Sequence, residues 1–232
     1  MADQFNDSIP AAANTILADI ADMAETFGWL KDCFQHICNG FSNTVLTSLG
    51  HVRHVWVPAV QMAAAVTDGA TWNAGAEYGT NDVTHSFFAF NAATKQYVMF
   101  DHVMAPGWNR GTIKAKFYWT TNTGSSAGHT VEWELTGFAL SNHDAIDQAY
   151  GTEQVISDAV TADNGQDLHV SDATPAITIG GTPALGDMVQ FRVARNVGGT
   201  DDCPVAARLF GVLLEITETF PDASGTNAIA TW

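Results

Sequence analysis

Ile113-Lys-Ala-Lys-Phe-Tyr-Trp119 decides the fold, because its apolar residues recur at every second position. Ile113, Ala115, Phe117 and Trp119 fall on one face while Lys114 and Lys116 take the other, the signature of a half-buried strand. Two more stretches read the same way. Val131, Trp133 and Leu135 oppose Glu132 and Glu134, and Val189, Phe191 and Val193 oppose Gln190 and Arg192. One wet face and one dry face is the pattern of antiparallel sheets packed in a sandwich.

Working outward, strands are predicted at 52–62, 84–91, 96–103, 113–121, 129–141, 153–159, 167–171, 176–180, 187–195 and 205–217. Most are separated by turn clusters such as Asp163-Asn-Gly165, Gly180-Gly-Thr-Pro183 and Gly198-Gly-Thr-Asp201. About eight to ten strands in roughly 170 residues fit a jelly-roll-like β-sandwich. The last strand is apolar on both faces, with Phe210, Val212, Leu214 and Ile216 set against Leu209 and Leu213. Its second face needs cover, from an N-terminal helix or a neighbouring subunit.

Residues 1–50 follow another period. After a cap at Ser8 and a helix-start proline at Pro10, apolar residues fall at Ile16, Ile20, Met23, Phe27, Leu30, Phe34, Ile37 and Phe41. The 4-3 spacing holds for about three and a half heptads, which predicts a helical, coiled-coil arm that self-associates. Large side chains at its core positions favour a trimer over a tight dimer. The alternative is an amphipathic helix docked on its own domain. The expected organisation is thus a helical oligomerisation or anchoring arm over 1–50, a β-sandwich over 51–220 and a tail over 221–232.

Twenty-five acidic residues against nine basic ones give a formal charge of −16. Such a surface repels phosphate backbones and anionic lipid, so neither nucleic acid nor membrane is an expected partner. The N-terminus lacks the basic and apolar regions of a signal peptide, and no window has the length of a membrane helix. The expectation is a soluble protein synthesised in the cytoplasm. Three cysteines, Cys33, Cys38 and Cys203, form neither a disulfide framework nor a zinc motif.

Signs of catalysis are sparse. The eight histidines show no zincin spacing. No nucleophile elbow or phosphate loop occurs, and the glycine-flanked serines at 124–128 belong to a hairpin turn. Glu132 and Glu134 lie about 6.5–7 Å apart along a strand, a glycosidase-like separation, but such acids are usually a strand's solvent face. Asp163 and Asp167 resemble the start of a Ca²⁺ loop, although strand-capping turns are commoner. No cofactor and no enzymatic activity are expected. Trp56, Trp72, Tyr78, Trp108, Tyr118, Trp119, Trp133 and Tyr150 offer sugar-stacking surfaces if they cluster outside. Trp72 and Trp108, read as loop residues, are the expected glycan contacts.

Val55-Trp-Val-Pro-Ala59, Trp108-Asn-Arg-Gly-Thr112, Ala115-Lys-Phe-Tyr-Trp119, Asp144-Ala-Ile-Asp147, Gly151-Thr152, Gly180-Gly-Thr-Pro183, Gly186-Asp-Met-Val-Gln-Phe-Arg-Val193 and Asp201-Asp202 together cover about 160 residues. That pattern resembles a family of tailed-bacteriophage virion surface proteins, and Ser8-Ile-Pro-Ala-Ala-Ala-Asn-Thr15 resembles the start of particle proteins that dock by a helical arm. The resemblance implies a jelly-roll-like capsid decoration, head fibre or tail fibre, located in the virion with other capsid or tail proteins as partners. It supplies no catalytic residues. The expected function is a non-enzymatic, self-assembling structural component of a phage particle. A receptor-binding module that recognises host glycans through the sandwich loops is the alternative, and an enzyme ranks last.

Overall fold

The computed structural model describes residues 51–78, 80–163 and 166–219. The heptad arm, from Ile16 to Phe41, and the tail over 221–232 lie outside the described residues.

The elements run β1 (His51–Pro58), a 3-10 turn (Ala59–Gln61), β2 (Ala63–Ala64), β3 (Thr71–Tyr78), β4 (Val83–Phe90), β5 (Tyr97–Val103), β6 (Trp108–Thr121), β7 (Thr130–Leu140), β8 (Gln154–Ala159), β9 (His169–Val170), β10 (Met188–Arg195) and β11 (Ala207–Glu218). They form two antiparallel sheets. The first is six-stranded, in the order β3-β4-β11-β6-β9 with β1 also on β11, and the second is five-stranded, in the order β2-β5-β10-β7-β8. From β4 to β7 the chain switches sheet at each step, as in a jelly roll. No helix among the described residues is long and apolar enough to cross a membrane.

The alternation read from sequence sets the core. Ile113, Ala115, Phe117 and Trp119 of β6, Val131, Trp133 and Leu135 of β7, and Val189, Phe191 and Val193 of β10 are all fully buried in one cluster. Trp133 is its aromatic hub. It stacks on Phe117 at 5.5 Å and meets the ring of Phe90 edge-on at 5.2 Å.

Three strand readings change. Residues 71–78 form β3, although Ala74-Gly75-Ala76 made the stretch look like a loop. Among the described residues it is an outer strand paired with β4 alone, through a register shift between Asn73 and Ala76. Residues 176–180 make only isolated bridges, at Ile177 and Gly180. In β11, a bulge lies between Leu209 and Gly211 opposite β6, which inserts one residue and reverses the side-chain parity beyond it. Leu209, Val212, Leu214 and Ile216 therefore face the core together, whereas Phe210 and Leu213 are only partly buried.

Candidate functional site

The same bulge builds the main surface feature. Along one edge β11 keeps β6 as its partner. Along the other it pairs with β4 over Ala207–Leu209 and with β1 over Gly211–Glu218. Phe210 lies at the seam between those two partners. Its ring stands 5.3 Å from His85 of β4. Across the seam, Trp56 of β1 packs over Gly211, where a side-chain Cβ would run into the indole. Trp56 also meets Tyr118 of β6 edge-on at 4.8 Å and remains 45% exposed. Alternation explains its direction, since Val57 faces the core and Val55 packs against it.

A groove of about 510 Å³ opens here, lined by Trp56, Tyr78, Val83, His85, Tyr118, Gln166, Leu168 and Phe210. A second hollow of about 340 Å³ shares Tyr78, Val83 and Gln166 with it and adds Thr80, Asn81 and Arg208. The two hollows make one trough on the outer face of the first sheet, aromatic at the Trp56 end and polar at the Arg208 end. Mostly apolar walls with a few convergent polar groups are the usual make-up of a small-ligand site.

The residues expected to contact a glycan are elsewhere. Trp108 begins β6 and is 1% exposed, so it is a core residue closed to any sugar. Its flanking Pro106-Gly107 suggested a loop, but the strand starts at the tryptophan itself. Trp72 lies on β3, is 38% exposed, and packs on Phe88 at 4.9 Å, away from the trough lining. Of the eight aromatic residues read as stacking surfaces, the trough gathers Trp56, Tyr78 and Tyr118. Phe210 and His85 complete it and were not singled out. Only the bulge, invisible to a period-two reading, turns Phe210 outward.

The polar candidates have local tasks. Asp163 accepts the Ala127 N–H at 2.8 Å, and Asp158 accepts the Trp119 indole N–H at 2.8 Å. Asp167 is exposed. Among the described residues no three His, Cys, Asp or Glu side chains cluster as a metal site would require.

Glu132 and Glu134 are not a solvent face. Both are buried, at 6% and 2% exposure. Glu134 accepts a hydrogen bond from Lys95 Nζ at 2.6 Å. Burial raises the Glu134 carboxyl above the ordinary range, against the opposing pull of Lys95. Burial also works against the Lys95 charge, but its bond to Glu134 together with the attraction of the Glu134 and Glu153 charges outweighs this and leaves the ammonium raised. Glu132 is roofed by the loop after β10. It accepts the Thr200 N–H at 3.0 Å and hydroxyl at 2.7 Å, the Ser157 hydroxyl at 3.3 Å, and an Asn196 amide N–H. Burial works against the Glu132 charge too, but these bonds outweigh it and hold the carboxyl below its ordinary 4.5.

A pH dependence follows. A carboxyl with a depressed folded value stabilises fully above its unfolded value and loses that contribution as pH falls through the folded one. Stability measured by urea unfolding should therefore fall below about pH 4.5. Glu132→Gln is expected to cost about 1.5–3 kcal/mol at pH 7 and to flatten that acid limb. Glu134 acts in the opposite sense, so the variant comparison isolates Glu132. Equal acid slopes in the two proteins would refute the assignment.

No protein-family model and no curated protein matches the chain. Among solved structures it is similar to a family 35 carbohydrate-binding module from Clostridium thermocellum, at 11% identity over 70% of this chain and 97% of that one, with a TM-score of 0.37. A family 11 module from the same organism, in complex with a β-1,3-1,4-mixed-linked tetrasaccharide, matches at 9% identity over 71% and 96%, with a TM-score of 0.39. A protein of unknown function from Shewanella oneidensis MR-1 matches at 8% identity over 74% and 89%, with a TM-score of 0.29. Likeness at this level does not bear on what the present chain binds.

Proposed function

We propose that this chain is a non-enzymatic binding protein whose trough on the first sheet takes a carbohydrate. The observation that supports the reading is the gathering of Trp56, Tyr118, Tyr78, His85 and Phe210 around one open groove at the β1–β4 seam. A pyranose ring has a face of C–H groups and a rim of hydroxyls. The aromatic walls suit the face, and Gln166, Asn81 and Arg208 suit the rim. The groove is already open and bordered by paired strands, so little ordering would oppose association.

Titration calorimetry of the full chain against a panel of oligosaccharides tests this. Trp56→Ala should weaken binding at least tenfold, equivalent to about 1.4 kcal/mol or more. Trp72→Ala should leave it unchanged. A panel without a single binder, or a Trp56→Ala protein that binds as well as the parent, would end the reading.

The setting we propose is the one the sequence resemblance implies, the surface of a tailed-phage particle, with the trough displayed toward host glycans. Self-assembly through the heptad arm belongs to the same proposal. Mass spectrometry of purified particles of the encoding virus would refute the setting by failing to find the chain.

A further inference from the structure

The polar end of the trough has a property that the aromatic end does not explain. Arg53, Lys95, Lys116, Arg192 and Arg195 each have a carboxylate within ion-pair distance. Arg208, like Arg110 and Lys114, has no carboxylate partner among the described residues, although acids far outnumber bases in the chain. Its partners are neutral. Nη2 donates to Asn122 Oδ1 at 2.7 Å, Nη1 donates to the Tyr78 hydroxyl at 3.3 Å, and the guanidinium lies 4.8 Å from the centre of the Phe87 ring. Phe87 is itself buried.

These contacts fix the guanidinium without neutralising it. A guanidinium carries more N–H donors than two acceptors can occupy, so donors remain for a ligand. Its planar fork matches a carboxylate better than it matches a hydroxyl. Arg208 is half-buried, where an ion pair is less screened than at the open surface. Glu77 borders the same hollow, but it is exposed and sits between Ala76 and Tyr78, so alternation turns it to the other face of β3. Arg110 and Lys114 are exposed and line neither hollow, whereas Arg208 stands in the wall of one.

We infer that the trough selects an acidic saccharide, with a sugar carboxylate (a uronate or nonulosonate) on Arg208 and a neighbouring ring against Phe210 and Trp56. Arg208 and Phe210 both pack against Phe87, the guanidinium at 4.8 Å and the ring at 6.2 Å from its centre, so only a short separation lies between them. That separation suits adjacent groups of one oligosaccharide. The inference rests on the carbohydrate reading above and specifies its ligand class.

The test is an array that pairs acidic oligosaccharides with their carboxyl-reduced counterparts, probed with the full chain and followed by calorimetry on the strongest pair. The acidic member should bind at least tenfold more tightly, and the preference should shrink in high salt. Arg208→Gln should remove the preference by weakening the acidic member at least tenfold more than the neutral one, and Arg208→Lys should restore part of it. Thermal melting of each variant shows whether the fold persists. If Arg208→Gln does not fold, the acid-to-neutral ratio and salt dependence of the unaltered protein decide. Equal binding of both members, or a preference for the neutral one, would overturn the inference and leave the carbohydrate reading standing. No binding to either class would overturn both.

Discussion

Arg195→Met is expected to lower the unfolding free energy by about 3–5 kcal/mol. Arg195 lies at the end of β10 with its side chain fully buried, and its partner Asp201 is buried almost as deeply. The pair is bidentate. Nε and Nη2 donate to the two Asp201 carboxylate oxygens at 2.7 Å each. The remaining donors reach the Val205 carbonyl at 2.7 Å and the Cys203 carbonyl at 2.5 Å. Asp201 also accepts the Glu132 and Cys203 N–H groups. One side chain thus ties the β10–β11 connection to the end of β7. Methionine fills a similar volume but strands a buried carboxylate and two carbonyls. Arg195→Lys should also be costly, because a point charge cannot replace a fork aimed at three groups. Urea unfolding at pH 7 measures the effect, and a loss under 1 kcal/mol would show that water reaches the pair.

Trp133→Ala is the second large effect, at about 3–5 kcal/mol. Trp133 touches Phe90, Phe117 and Trp119, so truncation opens a cavity between the two sheets that rigid strands cannot close. Its indole N–H has no hydrogen-bond partner among the described residues. Trp133→Phe should therefore cost much less, since it removes an unsatisfied donor along with some volume. Equal losses for the two variants would mean that the N–H is satisfied after all. Trp133 and Arg195 face each other across the β7–β10 ladder, so the double variant should fall short of the sum of its parts.

How far the sequence can be read depends on which residues carry the information. Strands β6, β7 and β10 were legible because each carries its own alternating core set. Strand β3 was not, because an outer strand needs few apolar residues and Ala74-Gly75-Ala76 breaks its texture. The trough was half legible: Trp56 alternates outward between two valines, but Phe210 depends on a one-residue bulge that shifts every later side chain to the opposite face. Phe210 and Leu213, on the second face of β11, are partly covered among the described residues. Part of that cover at Phe210 comes from His85 and Phe87, strand neighbours rather than a second subunit. Burial of Glu132 depends on Thr200 and Asn196, more than sixty residues later in the chain, which no local pattern reveals. Arg195 and Asp201 are only six residues apart, but their pairing needs the turn between them to fold back.

The pairing of β1 with β11 begins at His51 opposite Glu218. The sandwich therefore starts and finishes at one point, and traction on the flanking chain would load a single pair of strands. Those strands are antiparallel, with their ladder bonds perpendicular to their length. A pull applied at His51 and Glu218 would open these bonds in succession, like a zip, instead of shearing them together. Trp56, five residues inward, would lose its seat over Gly211 once that opening reached it.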